Sequence, residues 1–202
     1  MKHIFARAGG MLLAMTILCG LVYTLAVTGV GQLLFPKQAN GSIIKADGKT
    51  YGSALLGQPF TDEGDLWGRI MNVDTTTFTD ENGNPVLYAW ASNLSPASEE
   101  YDALVAQRVD ALRKANPDMA EAAIPVDLVT GSGSGLDPEI SPAAAAYQVS
   151  RIAQARGMTE DEVQAVIDRY TTGRFLGIFG EARVNVLRVN LALDGILEST
   201  QA

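Results

Sequence analysis

The chain is poor in the residues that carry out most enzyme chemistry. It has one cysteine, one histidine and no charged side chain between Arg7 and Lys37. Cys19 lies inside that uncharged run, so no disulfide can staple the rest of the chain. His3 sits in the N-terminal stub. The sequence beyond Cys19 therefore offers no Ser-His-Asp or Cys-His arrangement and no His or Cys zinc site. Carboxylates such as Asp127, Asp137 and Glu139 remain available for acid–base work, but no spacing forces them together. The metal expectation is none.

What stands in place of charge is a long apolar run. Residues 11–35 read MLLAMTILCGLVYTLAVTGVGQLLF. A bilayer's hydrocarbon is about 30 Å thick and needs about 20 helical residues to cross. In lipid the backbone must satisfy its own hydrogen bonds, which selects a helix. A cleaved signal peptide has an apolar stretch of roughly 7–15 residues, whereas this run continues past Ala26-Val27-Thr28 to Phe35. A lipoprotein cut needs a small residue before the cysteine, and Cys19 follows Leu18. The reading is a cytoplasmic stub at 1–8, a transmembrane helix at 9–35 and an extracytoplasmic domain at 36–202. Lys2, Arg7 and the free amine hold the stub inside by the positive-inside tendency. Thr16, Gly20, Thr24 and Thr28 recur every four residues and so share one side. Small residues let helices approach closely in lipid, which makes this side a candidate partner-helix face. Small residues are also common in spans without any such role.

The residues after 36 carry all 23 acidic side chains against 13 of the 15 basic ones, a net charge of −10. That balance argues against nucleic acid and anionic lipid as partners. The pattern is mixed α+β. Asp47-Gly48 reads as a hairpin turn, and 66–73 and 86–91 read as strands. Residues 61–65 form an acidic loop. Asp80 to Asn84 looks like a calcium loop at first, but its glycine comes fourth and Pro85 follows, so a turn on Asn82-Gly83 is expected. Ser95-Pro96 is expected to open a helix with the stripe Tyr101, Leu104, Val105, Val109 and Leu112 inward. Residues 125–130 read as a strand. Ser141-Pro142 opens a helix running to Arg156, ended by Gly157. Thr159 with Glu162 forms a capping box for another. Residues 183–193 fit both periods: Leu187, Val189, Leu191 and Leu193 alternate, while Val184, Leu187 and Leu191 fit a helix.

Gly131-Ser132-Gly133-Ser134-Gly135 lies between an expected strand and an expected helix. It lacks the Lys-Ser/Thr ending of a P-loop and the spacing of a dinucleotide fingerprint. Asp137 and Glu139 would repel a phosphate. The glycines read as a tight turn, and these seven residues form the candidate outer partner loop.

At this point a resemblance emerges. Residues 124–157, IPVDLVTGSGSGLDPEISPAAAAYQVSRIAQARG, are similar to the PVDLVT, glycine-serine loop, LDP-x-ISP and YQV-x-R run of the KdpC family, the C subunits of the Kdp potassium-transporting P-type ATPase. GSALLGQPF at 52–60, SNLSPAS at 92–98 and GEARVNVLRVNLALD at 180–194 also match. Glu139 stands where His or Asn is common and Ala182 where Pro is usual. Residues 61–90 fit the pattern poorly. The resemblance implies a non-catalytic accessory subunit that stabilises assembly with a channel-like potassium-binding subunit, an ATP-hydrolysing pump subunit and a small membrane peptide. It implies potassium as the transported ion and ATP as a ligand of the complex, with no cofactor held tightly by this chain. It further implies a catalytic-chaperone role in ATP binding, with Gln148 matching a glutamine proposed to touch nucleotide. Topology opposes direct contact, because Gln148 is expected outside and ATP is cytoplasmic. The alternative is a stand-alone, membrane-anchored binding or sensing domain.

Overall fold

The computed structural model describes residues 2–197 and divides into two units at Ile43, the first residue of the strand that opens the second. The ends of the expected stub and outer domain, residue 1 and residues 198–202, lie outside the described residues.

The first unit contains a helix long and apolar enough to cross a membrane, His3–Leu34, with mean hydropathy 2.1 over its most apolar 18 residues. Its parts are α1 (Lys2–Met15), a π-helical stretch (Thr16–Tyr23) and α2 (Thr24–Leu34), followed by the short α3 (Pro36–Ala39). The helix thus begins within the expected stub. In the π stretch the backbone bonds reach i→i+5, and Thr24 Oγ1 donates to Cys19 O at 3.1 Å. A spacing of four falls short of a π turn and overshoots an α turn of about 3.6 residues. The two offsets oppose each other, so Thr16, Gly20, Thr24 and Thr28 stay on one side.

The second unit contains β1 (Ile43–Ala46), β2 (Lys49–Ser53), β3 (Asn72–Thr79), β4 (Pro85–Trp90), α4 (Glu99–Ala115), β5 (Glu139–Ile140), α5 (Pro142–Ala146), α6 (Val149–Arg156), α7 (Glu160–Arg169), β6 (Thr171–Thr172), β7 (Arg183–Asn185) and α8 (Val186–Leu193). Three small sheets result: β1–β2, β3–β4 and the antiparallel β5–β7–β6. The core gathers Leu66, Leu112, Leu128, Ile140, Ile152, Val163, Ile167, Val184 and Val189 between the helices and the three-stranded sheet. Full burial of each such side chain contributes about 1.5–3 kcal/mol.

Local chemistry explains most boundaries. Asp47 and Gly48 both adopt positive φ, 48° and 75°, as a tight hairpin turn of the primed type requires. Asp80 organises the next turn: its Oδ1 accepts from Asn82 N and Asn84 N, both at 2.8 Å. Thr159 and Glu162 form the expected capping box on α7.

Several expectations are corrected. The helix expected at Ser95-Pro96 starts three residues later, because the Ser98 hydroxyl accepts from Tyr101 N while Ser95 only closes a preceding turn. Residues 125–130 are a single 3-10 turn (Val126–Leu128), since their amides bond locally to Pro125 O and Val126 O. Of the strand expected at 66–73, only Asn72 onward joins a ladder, and Ile70 makes one bridge to Gly131. The helix expected across 142–156 breaks at Tyr147-Gln148. There the Gln148 side-chain amide takes Ala144 O at 3.1 Å, and its backbone N–H moves to Ala145 O at 3.0 Å. Residues 183–193 are both things in turn: strand β7, then helix α8, joined where Asn185 Oδ1 caps Arg188 N at 3.0 Å.

Candidate functional site

Gln148 enters the site through the break between α5 and α6, and it is fully buried. Its Oε1 accepts from Trp67 N at 2.9 Å and from Arg151 Nη2 at 2.7 Å. Its Nε2 donates to Trp67 O at 3.1 Å and to Ala144 O at 3.1 Å. A glutamine amide has two donors and two lone pairs, so its capacity is taken up within the chain. Asn190 on α8 repeats the device one residue earlier: Leu66 N donates to its Oδ1 at 2.7 Å, and its Nδ2 donates to Leu66 O at 3.0 Å. Two side-chain amides thus act as the strand partners that residues 66 and 67 lack.

Guanidinium groups complete the clamp. Trp67 is 8% exposed, and two guanidinium groups lie over its ring, Arg151 at 4.5 Å from the centroid and Arg108 at 5.4 Å. Such stacking is attractive through the ring quadrupole. Arg151 donates to Asn116 Oδ1 at 3.2 Å, Asp65 O at 2.9 Å, Asp62 O at 3.4 Å and, closely, to Glu63 O. Arg108 donates to Leu128 O at 2.9 Å and Gly68 O at 2.8 Å. Arg156 holds Asp65 and Asp194, each at 2.9 Å. Burial pulls Arg151 down to about 10, against the attraction of Asp65 and Glu63, and it lowers Arg108 also. Burial raises Asp65, and Arg156 opposes the rise. Residues 62–68 are therefore an irregular strip bound by side chains rather than by a sheet.

One cleft beside this clamp, about 340 Å³, is lined by Lys114, Asn116, Asp118, Tyr147, Arg151 and Glu63 among others. Gln148 is not among its lining residues. Two carboxylates line this cleft, and Ser150 and Gln154 already donate to Asp118 at 3.0 and 2.7 Å. Among the described residues no group of three or more His, Cys, Asp or Glu is placed to hold a metal ion.

The loop at 131–139 is sewn into the second unit. Arg69 donates to Thr130 Oγ1 and Gly131 O, both at 3.1 Å, and pairs with Asp137 at 3.4 Å. Ser132 Oγ accepts from Gly135 N at 2.9 Å, and Ser134 Oγ from Leu136 N at 3.2 Å. Gly135 is buried at φ +75°, and a Cβ there would lie 2.4 Å from Trp90 O. Glu139 pairs with Arg183 at 2.8 Å. Asp127 accepts from Ser141 N at 2.6 Å and Ser141 Oγ at 3.2 Å. Gly131, Gly133 and Ser134 alone present an exposed edge. The structure brings Asp127, Asp137 and Glu139 to one cleft, of about 590 Å³. Thr16, Gly20, Thr24 and Thr28 belong to the first unit, where a Cβ added at Gly20 would meet nothing within 4 Å.

Two features escaped the sequence reading. The clamp was marked by polar residues in buried register: Gln148 and Arg151 within an alanine-rich helix, and Asn190 between Val189 and Leu191. The tip between β6 and β7 was marked by Phe175, Leu176, Ile178 and Phe179, four large apolar residues in a turn too short to bury them.

Comparison with known proteins gives one consistent result. The KdpC family, described as "K+-transporting ATPase, c chain", matches residues 5–195. A Potassium-transporting ATPase KdpC subunit of Clostridium perfringens is 62% identical over 185 residues, covering 92% of this chain and 93% of that one. Its counterpart in Clostridium botulinum is 58% identical over 197 residues, covering 98% of each. One in Paraburkholderia xenovorans is 46% identical over 194 residues, covering 96% and 97%.

Proposed function

Because the chain belongs to the KdpC family, the c chain of a K+-transporting ATPase, we propose that it is the accessory, non-catalytic subunit of an ATP-driven potassium importer in a bacterial cell membrane. The observation that carries this reading is likeness over nearly the full length, span and outer unit together. The partners are a channel-like potassium-binding subunit, a P-type pump subunit and a small membrane peptide. The helix His3–Leu34 crosses the bilayer once, with Lys2 and Arg7 cytoplasmic and the acidic second unit outside. Thr16, Gly20, Thr24 and Thr28 meet a partner helix, and residues 131–139 border the outer contact.

The chain raises the pump's hold on ATP indirectly. Gln148 supports this: its amide is sealed by Trp67, Ala144 and Arg151, so its part is to order residues 62–68. A subunit that binds one conformation of its partner better shifts that partner's ligand affinity by the same coupling.

The test is a gentle-detergent pull-down of the tagged chain from native membranes grown in low potassium. Recovery of a P-type ATPase and a multi-span potassium subunit is expected. A chain that comes down alone and monodisperse overturns the reading in favour of a stand-alone anchored binding domain.

A further inference from the structure

In the second unit Arg69, Arg156, Arg174 and Arg183 pair with carboxylates, and Arg108 and Arg151 bind backbone carbonyls. Arg169 and Arg188 do neither. Among the described residues their side chains make no ion pair and donate no hydrogen bond. Both nevertheless line one cleft, of about 280 Å³. The fold brings them there. Arg169 is the last residue of α7, and Arg188 lies in the first turn of α8. Thr171 pairs with Val184 in the β6–β7 ladder, and Asn185 N donates to Tyr170 O at 3.2 Å, which draws the end of α7 to the start of α8.

Neither nearby acid offsets the two charges. Glu139 lines the cleft, but Arg183 Nε lies 3.0 and 2.8 Å from its two oxygens. Asp168, next to Arg169 in sequence, is not on the wall and accepts from Gln164 at 2.7 Å. Two uncompensated guanidinium groups therefore line one cleft of an acidic unit. Tyr170 is on the same wall. It is 6% exposed, and its hydroxyl is buried without a hydrogen-bond partner. Buried polar groups are nearly always paired, so an orphan on a cleft wall points to an acceptor from outside the chain. Thr172 adds an exposed hydroxyl.

Guanidinium forks match the oxygens of a phosphate, and its two negative charges balance two arginines. A carboxylate carries one charge and leaves one arginine uncompensated. The cleft is smaller than the roughly 300–1,000 Å³ of pockets for drug-sized ligands, so its ligand is small. We propose that Arg169 and Arg188 form a binding site for a phosphate group with two charges, either free phosphate or a lipid headgroup, with the Tyr170 hydroxyl as a further donor. Occupied, the site ties α7 to α8. It stands independently of the accessory-subunit reading.

The experiment titrates inorganic phosphate into the full chain in maltoside detergent at pH 8 and fixed ionic strength, by calorimetry. Saturable binding with a Kd of about 1 mM or tighter is expected. Arg169→Gln and Arg188→Gln are each expected to weaken it about tenfold, and Tyr170→Phe about threefold, at unchanged circular dichroism. Arg113→Gln removes an exposed cation of α4 outside the cleft and is expected to leave binding unchanged. No saturable binding up to about 10 mM, or equal weakening by the three arginine variants, overturns the site. Unchanged binding in Tyr170→Phe removes the hydroxyl from it. Acetate binding as tight as that of phosphate overturns the phosphate assignment. Repeating the titration in nanodiscs of phosphatidic acid and of phosphatidylserine at matched surface charge reads the source. Weaker phosphate binding in the phosphatidic acid discs assigns the headgroup, and equal binding in the two assigns the free anion.

Discussion

The two tryptophans lie 23 residues apart in sequence and in opposite circumstances. Trp67 sits on a backbone with no regular structure, yet it is 8% exposed, and its indole N–H donates to Asp62 O at 2.8 Å. Trp90 ends a strand, yet it is 41% exposed and, among the described residues, stacks only on Tyr88, 5.6 Å away, which in turn meets Phe78 at 5.2 Å. The difference separates two kinds of order. The 62–68 strip is irregular and fixed, because side chains from α4, α6 and α8 satisfy its backbone. The β3–β4 hairpin is laddered, with a bulge between Asp74 and Phe78, and lightly anchored, because its ladder satisfies most of its backbone while its aromatic side chains find little to pack against. A two-stranded hairpin by itself is marginal in water.

The largest expected effect breaks the clamp. Gln148→Leu leaves Trp67 N and O without partners inside the core, and each buried orphan costs about 1–3 kcal/mol. Urea unfolding of the full chain in detergent is expected to show a loss of about 3 kcal/mol or more. A loss under about 1 kcal/mol would mean that the strip does not depend on the amide. Next comes the hairpin's root. Gly135→Ala places a Cβ against Trp90 O at positive φ, for an expected cost of about 2 kcal/mol in the same measurement. Trp90→Ser is expected to stay within about 0.5 kcal/mol, because the hairpin contributes little to the core; a larger loss would erase the contrast with Trp67.

The smallest expected effect is one of sign. Asp65 in the strip is raised by burial, so the folded state binds its proton first and the strip gains stability as pH falls through the folded value. Asp80 in the hairpin turn is lowered, chiefly by the Asn84 side-chain hydrogen bond and then by the Asn84 and Asn82 backbone. Its contribution is full above the ordinary carboxylate value of 3.8 and is lost as pH falls through the folded value. On acidification the protection of amides, measured against the intrinsic exchange rate at each pH, is expected to fall at Gly83 and Asn84 before it falls at Leu66 and Trp67. The reverse order would contradict the assignment.

The residues that announced themselves in sequence did so through local chemistry. Thr159-Glu162, Asp47-Gly48 and the turn around Asn82-Gly83 need only their neighbours, and each is found as expected. Ser95-Pro96 misled because Ser98 offers the same capping hydroxyl three residues on, next to Glu99 and Glu100. Residues 125–130 carry strand-like side chains, but only Leu128 is buried, and the segment closes on itself. The double reading of 183–193 reflected two elements, each with its own period, joined at Asn185. The glycine-serine loop drew notice through composition, and its ties run to Arg69, Trp90 and Arg183, far along the chain. The tip at 175–179 was written plainly in four apolar residues, but only the short turn leaves them outside.

By itself the sequence determined the long apolar helix, the acidic second unit, the absence of histidine and cysteine chemistry beyond Cys19, and, through its motifs, the family. These follow from composition and short-range pattern, which need no folded partner to be read. Tertiary structure alone decided that Gln148 faces Trp67 rather than solvent, that three arginines converge on residues 62–68, and that Asp127, Asp137 and Glu139 share a cleft beside the tip. The clamp's pairings reach from 40 residues between Gly68 and Arg108 to 124 between Leu66 and Asn190. Nothing in the local pattern specifies them until the apolar faces of α4, α6 and α8 pack and leave buried polar groups to find one another.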